Sequence, residues 1–368
     1  MQIKVNATEM KNGLDKVARV LPSRPGLIIT SGIFIRADKE NGINLQATDL
    51  ENTMRVKVNG EVVGPGECVV SGKMLVGLIR QLDGDITIKI SESRVTVKAG
   101  DKSYELNTYD PAEYPVFKPD VHEAVEFSIP PQILAEGITA TKALVDPDEP
   151  RPHFRGVLLD VIDKELNFVG TDTKQLALYR VTGQPDLKDC KVLIPVKAVN
   201  VLSGIMQATA PKVLVTKNVI IFSYGNDVVL SSQLLAGVED FPDYNKVIPA
   251  DNKMEKVTFK YSELLDTLKR IKVFASERYS KVKLTIAGDN AELKIQSPES
   301  GEAVEKIKVD GVGSVEIHFN INAFIDCIST LKGNKVVFGY TNEKSPVTMQ
   351  TTDNLEHKVV LMPLMSDN

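Results

Sequence analysis

MQIKVNATEMKNGLDKVARVL, residues 1–21, reads as a short alternating strand that runs into an amphipathic helix, with Met10, Leu14, Val17 and Leu21 recurring at helical spacing. The same grammar returns in VEFSIPPQILAEGITATKAL (125–144) and in EKVTFKYSELLDTLKRIKVFA (255–275), where Leu264, Leu268 and Ile271 carry the stripe. A unit recurring at this distance makes the chain a tandem repeat, and that governs every element between the copies.

Each copy continues alike. A hairpin-like pair follows, in GIFIRADKENGINLQATD (32–49), GVLLDVIDKELNFVGTD (156–172) and KVKLTIAGDNAELKIQSPE (281–299), each with two alternating runs around a polar turn. A second strand and helix come next in CVVSGKMLVGLIRQL, KVLIPVKAVNVLSGI and VEIHFNINAFIDCISTL, and short strands such as DITIKI and RVTVKAG close the copy. Asp49 to Asp172 is 123 residues and Lys73 to Lys197 is 124, so the spacing hardly drifts. Pro-rich connectors, YDPAEYPVFKPD (109–120) and EDFPDYNKVIPADNK (239–253), cannot continue a strand and mark the joints. The expectation is α+β: three tandem domains, 1–120, 121–250 and 251–368, each with two helices and antiparallel sheets.

Composition agrees with several cores. The 368 residues are 42% hydrophobic and 25% charged, the balance of a globular protein, and exceed what one core usually serves. No stretch approaches the roughly 20 apolar residues of a membrane span, and the N-terminus lacks a signal-peptide pattern, so a cytoplasmic protein is expected. Cys68, Cys190 and Cys327 are odd in number and far apart in apolar surroundings, which fits buried, reduced thiols.

Charge segregates by element. The six expected helices, 8–21, 72–82, 131–145, 196–207, 262–275 and 321–332, hold eleven Lys and Arg against six Asp and Glu, a net of +5. The whole chain carries −5, which leaves −10 outside the helices. On a helical wheel Lys16 and Arg19 lie opposite Met10, Leu14 and Val17, while Lys73 and Arg80 lie opposite Leu75, Leu78 and Leu82. Any one of these is an ordinary solvated face. Six basic helices in a repeated unit describe a continuous positive surface suited to phosphate backbones, without base-reading or stacking groups to confer sequence specificity.

Catalytic constellations are missing. His122, His153, His318 and His357 show no metal-ligand spacing, and there is no G-x-S-x-G, P-loop or H-E-x-x-H. Asp146, Asp148 and Glu149 lie among prolines without the glycine or bidentate glutamate of a calcium loop, and Gly311 and Gly313 lack the third glycine of a nucleotide fingerprint. Neither enzyme chemistry nor a cofactor is expected. The paired Thr48-Asp49 and Thr171-Asp172 read as turn chemistry, an Asp at a strand end bonding nearby amides.

The chain ends VVLMPLMSDN (359–368). Seven apolar residues at a terminus would be sticky if exposed, so they complete a sheet or wall a site. By the repeat, Val359–Leu361 fall on a closing strand and Met362, Pro363 and Leu364 are left for a site, with the Met365–Asn368 extension either lengthening that wall or dangling.

Arg24-Pro25 in LPSRPGL, ATDLE (47–51), FRGVLLD (154–160) leading to GTDTKQLA (170–177), FPDYNKVIP (241–249) and the terminal VVLMP together resemble the bacterial DNA sliding clamps, the beta subunits of the replicative polymerase III holoenzyme. The resemblance spans the whole chain. It implies a head-to-tail homodimer closed as a ring, which encircles duplex DNA without sequence preference and tethers the polymerase, the clamp loader and repair proteins through short apolar peptide motifs. It further implies DNA-facing Arg24, Lys73, Arg80 and Lys197, and a ring interface of Tyr104 and Leu106 against Val273 and Phe274 of the next copy. A peptide pocket would be formed by Phe154, Thr171, Thr173, Lys174, Gln175, Leu176, Pro242, Val247, Val360, Met362, Pro363 and Leu364. This chain has Thr173-Lys174-Gln175-Leu176 where familiar members carry Gly-His-Arg-Leu, Met362-Pro363-Leu364-Met365 where many end Met-Pro-Met-Arg, and Pro152-His153 in place of an aromatic pair.

Two other classes compete: a strand-rich hydrolase whose catalytic residues escape motif reading, and a repeat scaffold that never touches nucleic acid. Hydrolysis abolished by one point change would favour the first; failure to stay on circular DNA would favour the second.

Overall fold

The computed structural model describes residues 1–91, 93–116, 121–184 and 186–365. Residues 117–120 of the first connector and Ser366–Asn368 of the terminal extension lie outside them. By contact the chain forms two compact units, Met1–Pro131 with Asn200–Leu234, and Gln132–Val199 with Leu235–Asn368.

The first stretch holds β1 (Gln2–Asn6), α1 (Ala7–Val17), β2 (Gly32–Asp38), β3 (Gly42–Thr48), β4 (Asn52–Val58), β5 (Glu61–Gly64), β6 (Gly66–Ser71), α2 (Gly72–Ile79), β7 (Asp85–Ser91), β8 (Arg94–Ala99), β9 (Lys102–Tyr109) and β10 (Val125–Ser128). From α3 (Pro131–Thr141) the chain passes through β11 (Gly156–Ile162), β12 (Glu165–Thr171), β13 (Gln175–Val181), β14 (Cys190–Pro195) and α4 (Val196–Ser203). β15 (Lys212–Val215), β16 (Val219–Tyr224) and β17 (Val228–Gln233) belong to the first unit again. The remainder is α5 (Tyr244–Val247), β18 (Glu255–Lys260), α6 (Tyr261–Lys272), β19 (Lys281–Ser297), β20 (Gly301–Asn320), α7 (Ile321–Thr330), β21 (Lys335–Tyr340), β22 (Val347–Thr351) and β23 (Asn354–Leu361).

Each unit is built on one sheet. The first has the order β10-β15-β16-β17-β4-β3-β2-β6-β9-β8-β7-β1-β5, the second β14-β11-β12-β13-β23-β22-β21-β18-β20-β19. The middle repeat is thus shared, its β17 pairing β4 in one unit and its β13 pairing β23 in the other. Backbone pairing, not only side-chain contact, joins the copies at these two seams.

The helices form for the reasons their sequences suggest. Asn6 caps α1 by accepting from the Thr8 amide at 3.0 Å, and Asn320 caps α7 by accepting from the Asn322 and Ala323 amides. The expected helix 8–21 ends at Val17 and tightens into a 3-10 turn over Ala18–Val20, and 72–82 ends at Ile79, where the Gln81 amide bonds Leu78 and no glycine cap closes the helix. α1 buries Met10, Gly13, Leu14 and Val17, and α6 buries Leu264, Thr267, Leu268 and Ile271. One expected feature differs: 281–299 does not reverse as a hairpin. Lys281–Ser297 is a single strand paired along β20, from Lys281↔Asn320 to Ser297↔Gly301. The polar Gly288-Asp289-Asn290 is accommodated as an irregularity between the Gly288↔Gly313 and Asn290↔Lys308 pairs, with Gly288 at φ +64°.

Candidate functional site: the β13–β23 seam

The Thr-Asp pair at the end of β12 builds a tight turn. Asp172 accepts from the Lys174 and Gln175 amides at 2.9 and 2.8 Å, and Thr171 donates to the Gln175 carbonyl at 2.7 Å while accepting from the Thr173 amide. Thr173 sits at φ +76°. The same bonds recur 123 residues earlier: Asp49 accepts from the Glu51 and Asn52 amides, Thr48 donates to the Asn52 carbonyl, and Leu50 sits at φ +79°. The expected turn chemistry is what the structure shows, in both copies.

From that turn β13 pairs β23, Gln175↔Leu361, Leu176↔Val360 and Ala177↔Val359. The Met362 amide donates to the Lys174 carbonyl at 2.8 Å and the Leu364 amide to the His318 carbonyl at 2.7 Å, so the tail is tied on both flanks. Val359–Leu361 are strand residues, as the repeat required. Met362 and Leu364 remain 39% and 37% exposed and Met365 69%.

Along the paired stretch Leu176 and Val360 fall on one face and Gln175 and Leu361 on the other, while Lys174 and Met362–Leu364 lie past its last pair. On one face Phe154, Leu176 and Val360 join Leu158, Val169 and Phe241 in a buried apolar cluster, with Val247 packed against it. Phe154 is held by the tilted rings of His153 and Phe241 at 4.3 and 6.0 Å, and the Arg151 guanidinium lies 4.6 Å from its ring centroid. Pro242 is half-buried on the turn that starts α5, where Asp243 accepts from the Asn245 amide. At the end of the pairing Lys174, Gln175, Met362, Pro363 and Leu364 line a cleft of about 380 Å³ with Asn320, Ala323 and Asp326 of the α7 end. Gln175 is buried, accepts from the Cys327 thiol at 3.3 Å and donates to Asp172 at 3.1 Å. Burial raises the Asp326 carboxyl; Lys272 opposes the shift and Asp172 adds to it. Burial likewise holds the Cys327 thiol well above its usual range, so it acts as a donor and not as a nucleophile. Among the described residues there is no group of three or more His, Cys, Asp or Glu that could hold a metal ion, and no helix is long and apolar enough to cross a membrane.

Three models of the DNA polymerase III beta subunit match the chain in succession: the N-terminal domain over residues 1–118, the central domain over 128–243 and the C-terminal domain over 245–365. The chain belongs to the DNA polymerase III beta subunit family. Among curated relatives, the beta sliding clamp of Halalkalibacterium halodurans is 28% identical, with 93% of each chain covered, and that of Pseudomonas aeruginosa is 25% identical over 99% of this chain and 100% of the relative. The crystal structure of the P. aeruginosa subunit superposes with a TM-score of 0.93 at 25% identity, each chain covered completely. A clamp from Bartonella birtlesii, bound to griselimycin, superposes with a TM-score of 0.92 at 26% identity, again with complete coverage of both chains.

On this beta subunit the other expected residues fall as follows. Arg24, Lys73, Arg80 and Lys197 are exposed. Arg80 is held by Asp15 at 2.6 Å, Lys11 by Asp83 and Arg270 by Glu305, so the helices present less uncompensated charge than their composition suggests. Arg24 and Lys73 form no ion pair among the described residues. Val273 is 78% exposed, Tyr104 is half-buried, and Phe274 packs against the core of its own unit. Leu106 is 9% exposed and faces Val95 across β8–β9. Sequence reasoning missed Asn320, Ala323 and Asp326, although the Asn at the start of a helical stripe was a capping signal. It also missed Tyr244, whose hydroxyl donates to Asp160 at 2.8 Å and fixes the α5 turn.

Proposed function

We propose that this chain is a sliding clamp that closes head to tail as a homodimeric ring, encircles duplex DNA and tethers the replicative polymerase, the clamp loader and repair proteins in the cytoplasm, with no catalytic step of its own. Its three domains run 1–120, 121–250 and 251–368. Arg24, Lys73, Arg80 and Lys197 make weak phosphate contacts, and Tyr104 and Leu106 meet Val273 and Phe274 of the other copy. The peptide pocket comprises Phe154, Thr171, Thr173, Lys174, Gln175, Leu176, Pro242, Val247, Val360, Met362, Pro363 and Leu364. The observation that carries this is the tail: Val360 is built into the β13–β23 seam while Met362 and Leu364 stay at the surface beside Lys174. An apolar floor next to exposed methionine and leucine with a few polar groups suits an extended, apolar-anchored peptide.

Topological binding is the test. Loaded onto nicked circular DNA by a clamp loader, the protein stays with the circle through gel filtration and leaves once the circle is linearised. Equal retention on linear and circular DNA refutes the ring.

A further inference from the structure

The other seam has the same backbone and the opposite chemistry. β4 pairs β17, Thr53↔Ser231 and Arg55↔Val229, as β13 pairs β23, Leu176↔Val360. At the 123-residue offset Thr53 stands for Leu176, Arg55 for Leu178 and Gln46 for Val169, and Ser231 holds the place of Val360. Four apolar positions of one cluster have thus become two hydroxyls, an amide and a guanidinium, and they border a cleft of about 360 Å³.

The cleft is cationic where the rest of the strand and loop surface is acidic. Arg55 and Lys212 line it, and no carboxylate does. Arg55 is exposed and makes no ion pair among the described residues; Lys212 holds Glu126 at 2.8 Å, but both are about half exposed, so that pair exchanges readily with a better acceptor. Ile221 and Val229 supply an aliphatic floor between them, and the Gln46 amide nitrogen is buried without a hydrogen-bond partner. Two cations and no aromatic side chain are too little for a single-stranded nucleic acid, which needs a cationic track and stacking platforms. Carboxylates spaced along an extended chain, with a small aliphatic residue between them, match the hydroxyls, the charges and the floor together.

We infer that the β4–β17 seam is a second docking site, taking an extended acidic peptide of a partner protein, separate from the tail pocket and independent of it. The probe is a short fluorescein-labelled peptide alternating glutamate with valine, titrated into the full-length protein by anisotropy. A version with glutamine for glutamate and a single-stranded oligonucleotide of equal charge serve as controls. Arg55→Glu is expected to weaken binding about tenfold or more and Arg55→Lys to retain it, with Met362→Ala having no effect. Ser231→Leu, which fills the cleft without touching the charges, is expected to abolish binding, and an unchanged melting temperature in each variant guards against loss through misfolding. Equal affinity of the glutamine version, indifference to both Arg55→Glu and Ser231→Leu, or displacement by the oligonucleotide at lower concentration than by unlabelled peptide each overturns the assignment. Loss of binding with Met362→Ala places the peptide in the tail pocket and overturns it too.

Discussion

His357 shows what a single residue carries that its neighbours in sequence do not announce. It pairs across the seam with Tyr179, is 3% exposed, and its Nε2 is buried without a partner. Glu136 of α3, Tyr179 and Lys332 line the same pinhole of about 10 Å³, and Tyr179 donates to Glu136 at 2.7 Å and lies 3.1 Å from Glu356. Burial, with Lys332 adding to it, lowers the imidazole from its ordinary 6.5 to about 4. Below pH 6.5 the unfolded chain binds a proton there that the folded chain refuses until about pH 4, so stability is complete above 6.5 and is lost as pH falls through that window. The loss approaches about 3 kcal/mol. Urea midpoints measured from pH 7 to pH 4 are expected to fall more steeply for the parent than for His357→Leu, and parallel curves would remove His357 from the account. Nothing near residue 357 marks it as buried, because Glu136 and Tyr179, which complete its enclosure, come from a different repeat of the chain. The Thr-Asp turns were readable for the opposite reason: each is closed by bonds within five residues, so local chemistry suffices.

At the scale of elements, the helix pattern was readable and the strand ends were not. The first helix of each copy buries the same row, Met10, Gly13, Leu14 and Val17, then Leu134, Gly137, Ile138 and Thr141, then Leu264, Thr267, Leu268 and Ile271. The second position of the row is small each time because the helix lies close on its sheet there; a Cβ on Gly13 would come 2.6 Å from a Val58 methyl. By contrast β19 was misread as a hairpin. Its buried residues slip phase, from Val282, Leu284 and Ile286 to Ala291, Leu293 and Ile295, and a slip of one is written identically by a bulge and by a turn. Only the partner β20 decides between them. The tail shows how an element boundary sharpens an experiment. Truncation before Val360 would delete part of β23 and expose the seam, so weakened peptide binding there would confuse stability with contact. Truncation after Leu361 leaves every pair of β13 with β23 intact, and together with Met362→Ala it is expected to weaken a polymerase peptide about tenfold or more while the melting temperature stays within about 2 °C. Unchanged affinity in both variants would take the tail out of the pocket.

For the whole molecule the question is how an acidic protein holds DNA without gripping it. The chain carries −5 in all, a total in which a net positive charge on the helices offsets −10 elsewhere. Several of those cations are already spoken for: Arg80 by Asp15, Lys11 by Asp83, Arg270 by Glu305. Internal pairing of this kind tempers the attraction, because a guanidinium that donates through both Nε and Nη2 to its own carboxylate, unlike a lysine on a single contact, gains less from a passing phosphate. A clamp that slides benefits from that restraint, since phosphate contacts set the salt dependence and each one lowers the slope of log affinity against log salt by about 0.9 on duplex DNA. The consequence distinguishes residues that composition treats alike. Lys73→Ala and Arg24→Ala should each flatten the salt slope for a short duplex by about one contact, whereas Arg80→Ala should flatten it by a small fraction of that. Asp15→Ala, which releases Arg80, should steepen the slope and raise low-salt affinity. The measurement is fluorescence anisotropy on one duplex across a series of salt concentrations. An Arg80→Ala slope as flat as that of Lys73→Ala would mean that the Asp15 pair does not persist against DNA, and that the positive surface acts at its full composition.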